Sequence, residues 1–233
     1  MTGTSRLPEH HYNNLFQRIQ AETPGLTLEQ AAMLLCVALA AGNDPDGVAI
    51  VTNLHLNTMA SVTKQVAWIE YLRHALCKAC LLCSFPRSWN ATNAVMNSLS
   101  PDIKGQLRLD PINTPSGPEE AHQWHRRGSD FFKDVYRSRG VTIEANIKNA
   151  SPDLWAFVEY GYGNIVSDMT YMTAVDTELS VIVNLYTMDG GPQFVDHLKG
   201  VLNVGGSEQQ AQSALHIARL LKESSFHIPH HPS

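Results

Sequence analysis

The sequence has little of what is typical of nucleic-acid-binding or membrane proteins. Its 17 Lys and Arg are outnumbered by 22 Asp and Glu, which gives a net charge of −5, and no basic run is longer than Arg126-Arg127. A nucleic-acid groove concentrates basic side chains, so we expect no nucleic-acid partner. The longest apolar run, Ala31 to Ala41, is far shorter than the roughly 20 residues of a bilayer span, so we expect no membrane partner.

Cysteine is also scarce. Apart from Cys36, the sequence has only Cys77, Cys80 and Cys83, three apart along one helix-like run. Residues three apart on a helix share a face but rarely reach disulfide geometry, which favours free thiols in a reducing compartment. The amino terminus lacks the apolar stretch of a signal peptide. We therefore expect a cytoplasmic protein, with the mitochondrion and the peroxisome left open.

Strand signals are few, whereas helix start signals recur. Thr27-Leu-Glu-Gln30 reads as a capping box that opens an apolar helix ending near Gly42, and Ser207-Glu-Gln-Gln210 reads as another. Together with the apolar periodicity, these signals predict an all-α fold. The further predicted helices cover 46–56, 62–85, 87–99, 118–138, 152–165, 174–188 and 192–204, and the last covers 207–224.

A faint internal repeat divides the chain. When Leu39 is placed over Leu185, Leu56-Asn57 aligns with Leu202-Asn203, and Ser61 aligns with Ser207. A proline- and glycine-rich segment over 100–117 separates the two copies and reads as a linker. We therefore predict an N-terminal degenerate helical repeat over 1–99, the linker over 100–117, a C-terminal repeat over 118–224 and a loose tail over 225–233.

Three motifs in the second copy, spread over about 118–222, carry a family resemblance. They are Arg127-Gly128 leading to Phe131-Phe132 and Val135-Tyr136, the segment Pro152 to Gly163, and the turn His197 to Gly206. In order and spacing they resemble the alkylhydroperoxidase D / carboxymuconolactone decarboxylase superfamily, and residues 24–100 resemble it more weakly. The resemblance implies a duplicated helical unit of the alkylhydroperoxidase D-like fold, with a two-copy layout similar to fungal members, some in secondary metabolism.

The same resemblance indicates where chemistry would occur. Peroxidatic members carry a glutamate, two cysteines and a histidine, and these positions fall here on Glu178, Gly190, Gln193 and His197. Without the thiols, what remains is an acid–base pair, which suits proton transfer near neutral pH. The resemblance thus implies an enzyme of decarboxylase, isomerase or cyclase type, with no metal and no cofactor, acting on a small organic acid or lactone. The residues proposed to bind that substrate are Tyr186, Asp189, Gln193 and Asp196.

Other interpretations stay open. Glu178 could form a structural ion pair and His197 could be a core histidine, which would leave a non-catalytic scaffold that keeps the fold. Alternatively, Cys77 and Cys80 could support a thiol-dependent peroxidase, although we interpret the three cysteines as small apolar residues on a buried helix face.

Two groups of histidines have metal-like spacing, but neither is expected to bind a metal. His122 and His125 lack an obvious third ligand, and the loose tail with His227, His230 and His231 lacks preorganised geometry. Finally, relatives with a single copy assemble into closed rings. The resemblance therefore implies a homo-oligomer, with a trimer favoured over a dimer.

Overall fold

The computed structural model describes residues 7–225, and within them it contains twelve α-helices, one π-helical turn and no strand. The predicted all-α fold is confirmed. Three helices lie where no helix was predicted: α1, α8 and the short α6, which stands in the predicted linker. The helices are α1 (Glu9–Glu22), α2 (Leu28–Ala41), α3 (Pro45–Leu56), α4 (Val62–Cys83), α5 (Phe85–Ser98), α6 (Pro101–Lys104), α7 (Pro118–Tyr136), α8 (Arg139–Ala150), α9 (Pro152–Gly161), α10 (Ala174–Thr187), α11 (Gly191–Asn203) and α12 (Glu208–Ser225), with the π-helical turn at Tyr162–Val166.

Helices α2 and α10 start in the same way. Each has a capping box, in which the Thr27 hydroxyl accepts from the Gln30 amide at 3.1 Å and the Thr173 hydroxyl accepts from the Asp176 amide at 3.0 Å. Helix α2 runs from residue 28 to residue 41, and α10 runs from residue 174 to residue 187. Both boundaries of α10 therefore lie 146 residues after those of α2. The Gln30 side chain also donates to Asp176 Oδ1 at 2.7 Å, which joins the two caps.

The hydrophobic core is built around these two helices. Every residue of α2 from Ala31 to Ala41 is at most 1% exposed, because α2 is surrounded by α3, α4, α10 and α12. The same core contains Ile182 and Ala214 from the second half of the chain. Helix α4 packs against α10, and α12 packs against α2, so the two predicted halves contribute to one shared core.

The proline-rich segment is also tied to the core. Ile103 and Leu107 of this segment are buried in the hydrophobic core, and the Arg108 amide donates to Glu70 Oε1 at 2.7 Å. Among the described residues, no helix is long and apolar enough to cross a membrane.

Helix α7 crosses the π-helical turn at two glycines. A Cβ added to Gly128 would overlap the backbone nitrogen of Gly163, because the two backbones touch there. A Cβ on Gly163 would in turn lie 3.2 Å from the Trp124 carbonyl oxygen. The crossing accounts for the glycines in two of the sequence motifs, Arg127-Gly128 and the segment Pro152 to Gly163. It also brings Tyr162 next to the end of α7.

We expect Gly128→Ala to lower the free energy of unfolding by roughly 1–3 kcal/mol, because the added carbon forces two backbones apart. The control is Gly117→Ala, since Gly117 has extended backbone and a Cβ there would meet nothing within 4 Å. Urea unfolding of both variants checks the prediction. Equal losses in the two variants would contradict the close approach at Gly128.

Candidate active site

Four side chains from four elements form a continuous chain of hydrogen bonds. Glu178 Oε2 on α10 lies 2.8 Å from His197 Nδ1 on α11. His197 Nε2 lies 2.8 Å from the hydroxyl of Tyr136, the last residue of α7. The hydroxyl of Tyr162, in the π-helical turn, donates to the Tyr136 hydroxyl at 3.3 Å. The structure thus brings the predicted pair together and adds two tyrosines to it.

The donors and acceptors along this chain can be assigned from its chemistry. With Glu178 as a carboxylate, which only accepts, His197 donates through Nδ1 and keeps a lone pair on Nε2. Tyr136 can then donate to Nε2 while its oxygen accepts from Tyr162. Burial raises the pKa of both Tyr136 and Tyr162, so both phenols stay protonated at neutral pH. The imidazole is therefore held in one tautomer, with its basic nitrogen facing a phenol.

A glycine makes room for the buried carboxylate. Glu178 is 0% exposed, and a Cβ on Gly200 of α11 would overlap its Oε2. The absence of a side chain at Gly200 allows α11 to pack so close to α10 that His197 reaches Glu178. Within residues 7–225, the second oxygen of Glu178 has no hydrogen-bond partner, so the bond to His197 is the polar contact that this carboxylate makes there.

A cavity of about 220 Å³ lies beside this hydrogen-bonded chain. Its polar lining comes from Lys78, Tyr136, Tyr162, Thr177, Gln193 and His197. Its apolar lining comes from Leu81, Leu82, Phe132, Ile143, Ile147, Phe157, Val158, Val166, Val181 and Leu185. Helix α4 belongs to the first half of the chain, so both halves contribute to the cavity wall.

Lys78 is the cationic group of this wall. It is 3% exposed, and its Nζ donates to the carbonyl oxygens of Val166 at 2.9 Å and Asp168 at 2.6 Å, and to Thr177 Oγ1 at 2.7 Å. Burial lowers the pKa of Lys78 to about 7, although the nearby charge of Asp168 opposes this shift. Lys78 thereby ties the end of the π-helical turn to α10, next to Glu178.

Of the four predicted substrate-binding residues, Gln193 lines the cavity and three lie elsewhere. Asp189 pairs with Lys222 at 2.6 Å and is exposed. The ammonium of Lys222 also lies over the Tyr186 ring, 4.8 Å from its centre. Asp196 pairs with Arg139 at 3.0 Å. Tyr186 lies in the last turn of α10, Asp189 lies between α10 and α11, and Asp196 lies on α11. Each of the three side chains contacts another protein group instead of lining the cavity.

The first half of the chain has no second copy of the pair. At the displacement of 146 residues that relates α2 to α10, the counterparts of Glu178 and His197 are Ala32 and Val51. Both are 0% exposed and apolar. At these two aligned positions the carboxylate and the imidazole are therefore present in the second half and absent from the first, which contributes wall residues to the cavity.

The cysteines occupy a different place. Cys83 is buried, as predicted, but Cys77 and Cys80 are half-buried and line a separate cavity of about 390 Å³. Burial raises the pKa of both Cys77 and Cys80, which keeps them as thiols at neutral pH. The difference from prediction arises because α5 and the 108–113 segment leave a gap over this face of α4.

The histidines with metal-like spacing do not form a site in the part of the chain that is described. His122 and His125 are exposed, and no group of three His, Cys, Asp or Glu among residues 7–225 is arranged to hold a metal. His227, His230 and His231 lie outside the described residues.

Sequence reasoning missed three residues of the site: Lys78, Tyr136 and Tyr162. The two tyrosines stand inside motifs that carried the family resemblance, so the signal was present but no role was assigned to it. Lys78 had no such signal, since its position next to Thr177 depends on how α4 packs against α10.

Comparison with known proteins gives two relatives. The chain is 28% identical over 184 residues to Peroxisomal protein 2 of Schizosaccharomyces pombe, which covers 78% of this chain and 80% of that protein. It is 24% identical over 172 residues to Peroxisomal protein 2 of Saccharomyces cerevisiae, covering 65% of this chain and 60% of that protein. No protein-family model and no solved structure matches the chain. The names of both relatives refer to the peroxisome and to no reaction.

Proposed function

We propose that this protein is a cofactor-independent acid–base enzyme of decarboxylase, isomerase or cyclase type, acting on a small organic acid or lactone. One observation carries the proposal: the buried hydrogen-bonded chain from Glu178 through His197 to Tyr136 and Tyr162 ends at a cavity of ligand size. A carboxylate, an imidazole and a phenol in this order form a proton relay, which is more than a structural ion pair requires.

In the proposed reaction His197 acts as the base. A proton leaves an acidic C–H or O–H bond of the ligand for the Tyr136 oxygen, while the Tyr136 proton moves to His197 Nε2. Glu178 then stabilises the imidazolium, because an opposite charge at 2.8 Å favours the protonated form. The return of the proton to another atom of the ligand completes an isomerisation or a cyclisation. In a decarboxylation the proton leaves the carboxyl O–H, the carbon–carbon bond to the carboxylate breaks, CO2 departs, and the carbon that keeps the electron pair takes up the proton. Both routes proceed with acid–base groups alone.

The fold supports the family resemblance on which this proposal partly rests. Helices α2 and α10 agree in both boundaries and in their capping boxes, as two copies of one unit would. The segment after α2 also repeats after α10, since Asn43 and Asp189 both have positive φ, at 58° and 57°. We therefore propose a duplicated helical unit of the alkylhydroperoxidase D-like type, with the relay kept in the second copy.

The test is a screen for proton exchange. The protein is incubated in deuterated water with small lactones and carboxylic acids, and NMR records deuterium incorporation or product formation. The proposal requires at least one compound to exchange far faster with the protein than without it. If the protein accelerates exchange in none of the compounds, the non-catalytic scaffold is favoured. The same holds if a variant without His197 accelerates exchange as much as the wild type.

The thiol-dependent peroxidase remains the second candidate, because Cys77 and Cys80 line a cavity together. Their raised pKa values work against it, since the thiolate is the nucleophile. We expect negligible peroxide consumption in the presence of a dithiol reductant, and no difference between the wild type and Cys77→Ser. A robust peroxidase activity that Cys77→Ser or Cys80→Ser abolishes would replace the acid–base proposal.

The names of the two relatives favour a peroxisomal location, which the sequence had left open beside the cytoplasm. We propose the peroxisome, and the role in secondary metabolism stays a prediction. Fluorescence microscopy of the tagged full-length protein beside a peroxisomal marker tests the location.

We also propose a homo-oligomer, with a trimer favoured over a dimer. Large apolar side chains are exposed on α8 and α9, among them Val141 at 76%, Phe157 at 54% and Tyr160 at 61%. Such side chains are typical of a surface that another chain covers. Light scattering at micromolar concentration is expected to give a mass of about three chains. A monomer under these conditions would contradict both assemblies.

A further inference from the structure

We infer that the cavity beside His197 takes an uncharged, mainly apolar ring compound, such as a lactone with a short alkyl chain, and disfavours free carboxylic acids. The inference rests on the function proposed above and narrows it to the isomerase or cyclase type, since the lactone has no carboxyl group to lose. Three features of the cavity carry it: the charges of its wall, the hydrocarbon of its wall and its size.

The wall offers no free cation to a carboxylate. Among the described lining residues, Lys78 is the one lysine, and none is an arginine. The three protons of its ammonium group already go to oxygens of Val166, Asp168 and Thr177. A ligand carboxylate could therefore gain a contact with Lys78 only by displacing one of these internal bonds.

The charge behind the wall works in the same direction. Glu178 is fully buried against His197, and a second carboxylate placed beside this pair would be repelled. Burial also lowers the pKa of Lys78 to about 7, so at neutral pH its positive charge is present only part of the time. A carboxylate entering the cavity would lose its hydration and gain no ion pair, which is unfavourable.

The rest of the wall suits hydrocarbon. Leu82, Ile143, Ile147, Phe157 and Val181, from four different helices, all line the cavity. An alkyl chain placed against them leaves water, and this transfer is favourable. The amide of Gln193 lines the same cavity and can donate to a carbonyl oxygen of the ligand. A lactone offers both features, an alkyl body and a carbonyl group.

The size of the cavity limits the ligand. An engineered protein cavity of about 150 Å³ accommodates benzene, so the volume of about 220 Å³ beside His197 accommodates one ring with a chain of a few carbons. Carbon atoms next to a lactone carbonyl carry weakly acidic protons. A proton of that type is what the relay of Tyr136 and His197 would remove.

The test compares two probes that differ in charge but share a carbon skeleton. They are δ-octalactone and its ring-opened form, 5-hydroxyoctanoate, titrated into the wild-type protein at pH 7.5 with NMR detection of binding. We expect the lactone to bind at least tenfold more tightly. Equal affinity, tighter binding of the hydroxy acid, or binding of neither probe at millimolar concentration overturns the inference.

Two exposed positions on α9 provide a matched pair of variants. Phe157 lines the cavity and is 54% exposed, whereas Leu154, one turn earlier, is 51% exposed and lies outside the lining. We expect Phe157→Arg to reduce the preference for the lactone, because it adds a free guanidinium group at the cavity. Leu154→Arg should leave the preference unchanged, and equal effects of the two variants would place the binding elsewhere.

The result also separates this inference from the proposed function. If the lactone binds selectively but removal of His197 leaves turnover unchanged, the acid–base function fails and the ligand class stands. If the hydroxy acid binds better and turnover still depends on His197, the ligand class fails and the function stands.

Discussion

Replacing His197 by alanine is expected to lower turnover on an identified substrate by about a hundred- to ten-thousand-fold, the usual contribution of a positioned acid–base group. Glu178→Gln should cause a loss of similar order, because the amide cannot hold the imidazole with a full negative charge at Nδ1. The two losses should not add in the double variant, since members of one relay fail together. Steady-state kinetics of the three variants measure this.

A surface pair of the same residue types is the control. His216 Nε2 lies 2.7 Å from Glu22 Oε2, both side chains are about one-third exposed, and neither residue lines the cavity. His216→Ala and Glu22→Gln should leave turnover within about twofold of the wild type. If the His197 and Glu178 variants instead lose only melting temperature and keep the rate per folded molecule, the pair is structural.

Raising the pH from 7 to 10.5 is expected to stabilise the wild type relative to Lys78→Met by roughly 3–5 kcal/mol. Burial lowers the pKa of Lys78 in the folded protein to about 7, against 10.5 in the unfolded chain. Between these two values the unfolded state holds a proton that the folded state has released, so stability rises with pH. Below pH 7 both states are protonated, and the folded state bears the full cost of a buried charge.

Urea unfolding of the wild type and of Lys78→Met at several pH values measures the difference between their free energies of unfolding. Contributions from groups that titrate equally in both proteins cancel in this difference. Lys64→Met is the control, because Lys64 lies on the same helix and is exposed. Its stability difference from the wild type should not change with pH. If the stability difference between the wild type and Lys78→Met also stays constant with pH, Lys78 keeps an ordinary pKa in the folded protein.

Local signals in the sequence were enough to predict most of the helices. The capping residues Thr27 and Ser151 and the prolines after helix starts act on neighbouring backbone, so their effect needs no tertiary contact. Helix α8 was missed for a related reason: its residues are mostly exposed, and Ile143 and Ile147, one turn apart, are too few to give the apolar stripe of a buried helix face. Helix α1 was also missed, since no side chain caps its first turn.

The candidate site was predictable only in part. Glu178 and His197 were identified from the spacing of a family that the sequence resembles, and the short connection between α10 and α11 brings them within 2.8 Å. Tyr186 and Asp189 were chosen for being near His197 in the sequence, but Tyr186 lies on α10, Asp189 lies between α10 and α11, and His197 lies on α11. Closeness in the sequence across a turn does not place side chains at the same site. The structure directs them to Lys222 instead.

The sequence by itself determined the helical class and the positions of the helix caps, because these depend on residue type and local spacing. It also placed Gly190 and Gln193 where the family that it resembles carries a pair of thiols. Only the tertiary structure decided what surrounds His197. Tyr136 and Tyr162 reach it because Gly128 and Gly163 let two backbones cross, and Lys78 reaches the same cavity because α4 packs against α10. These contacts join segments 26 to 99 residues apart, and no local rule specifies such distances.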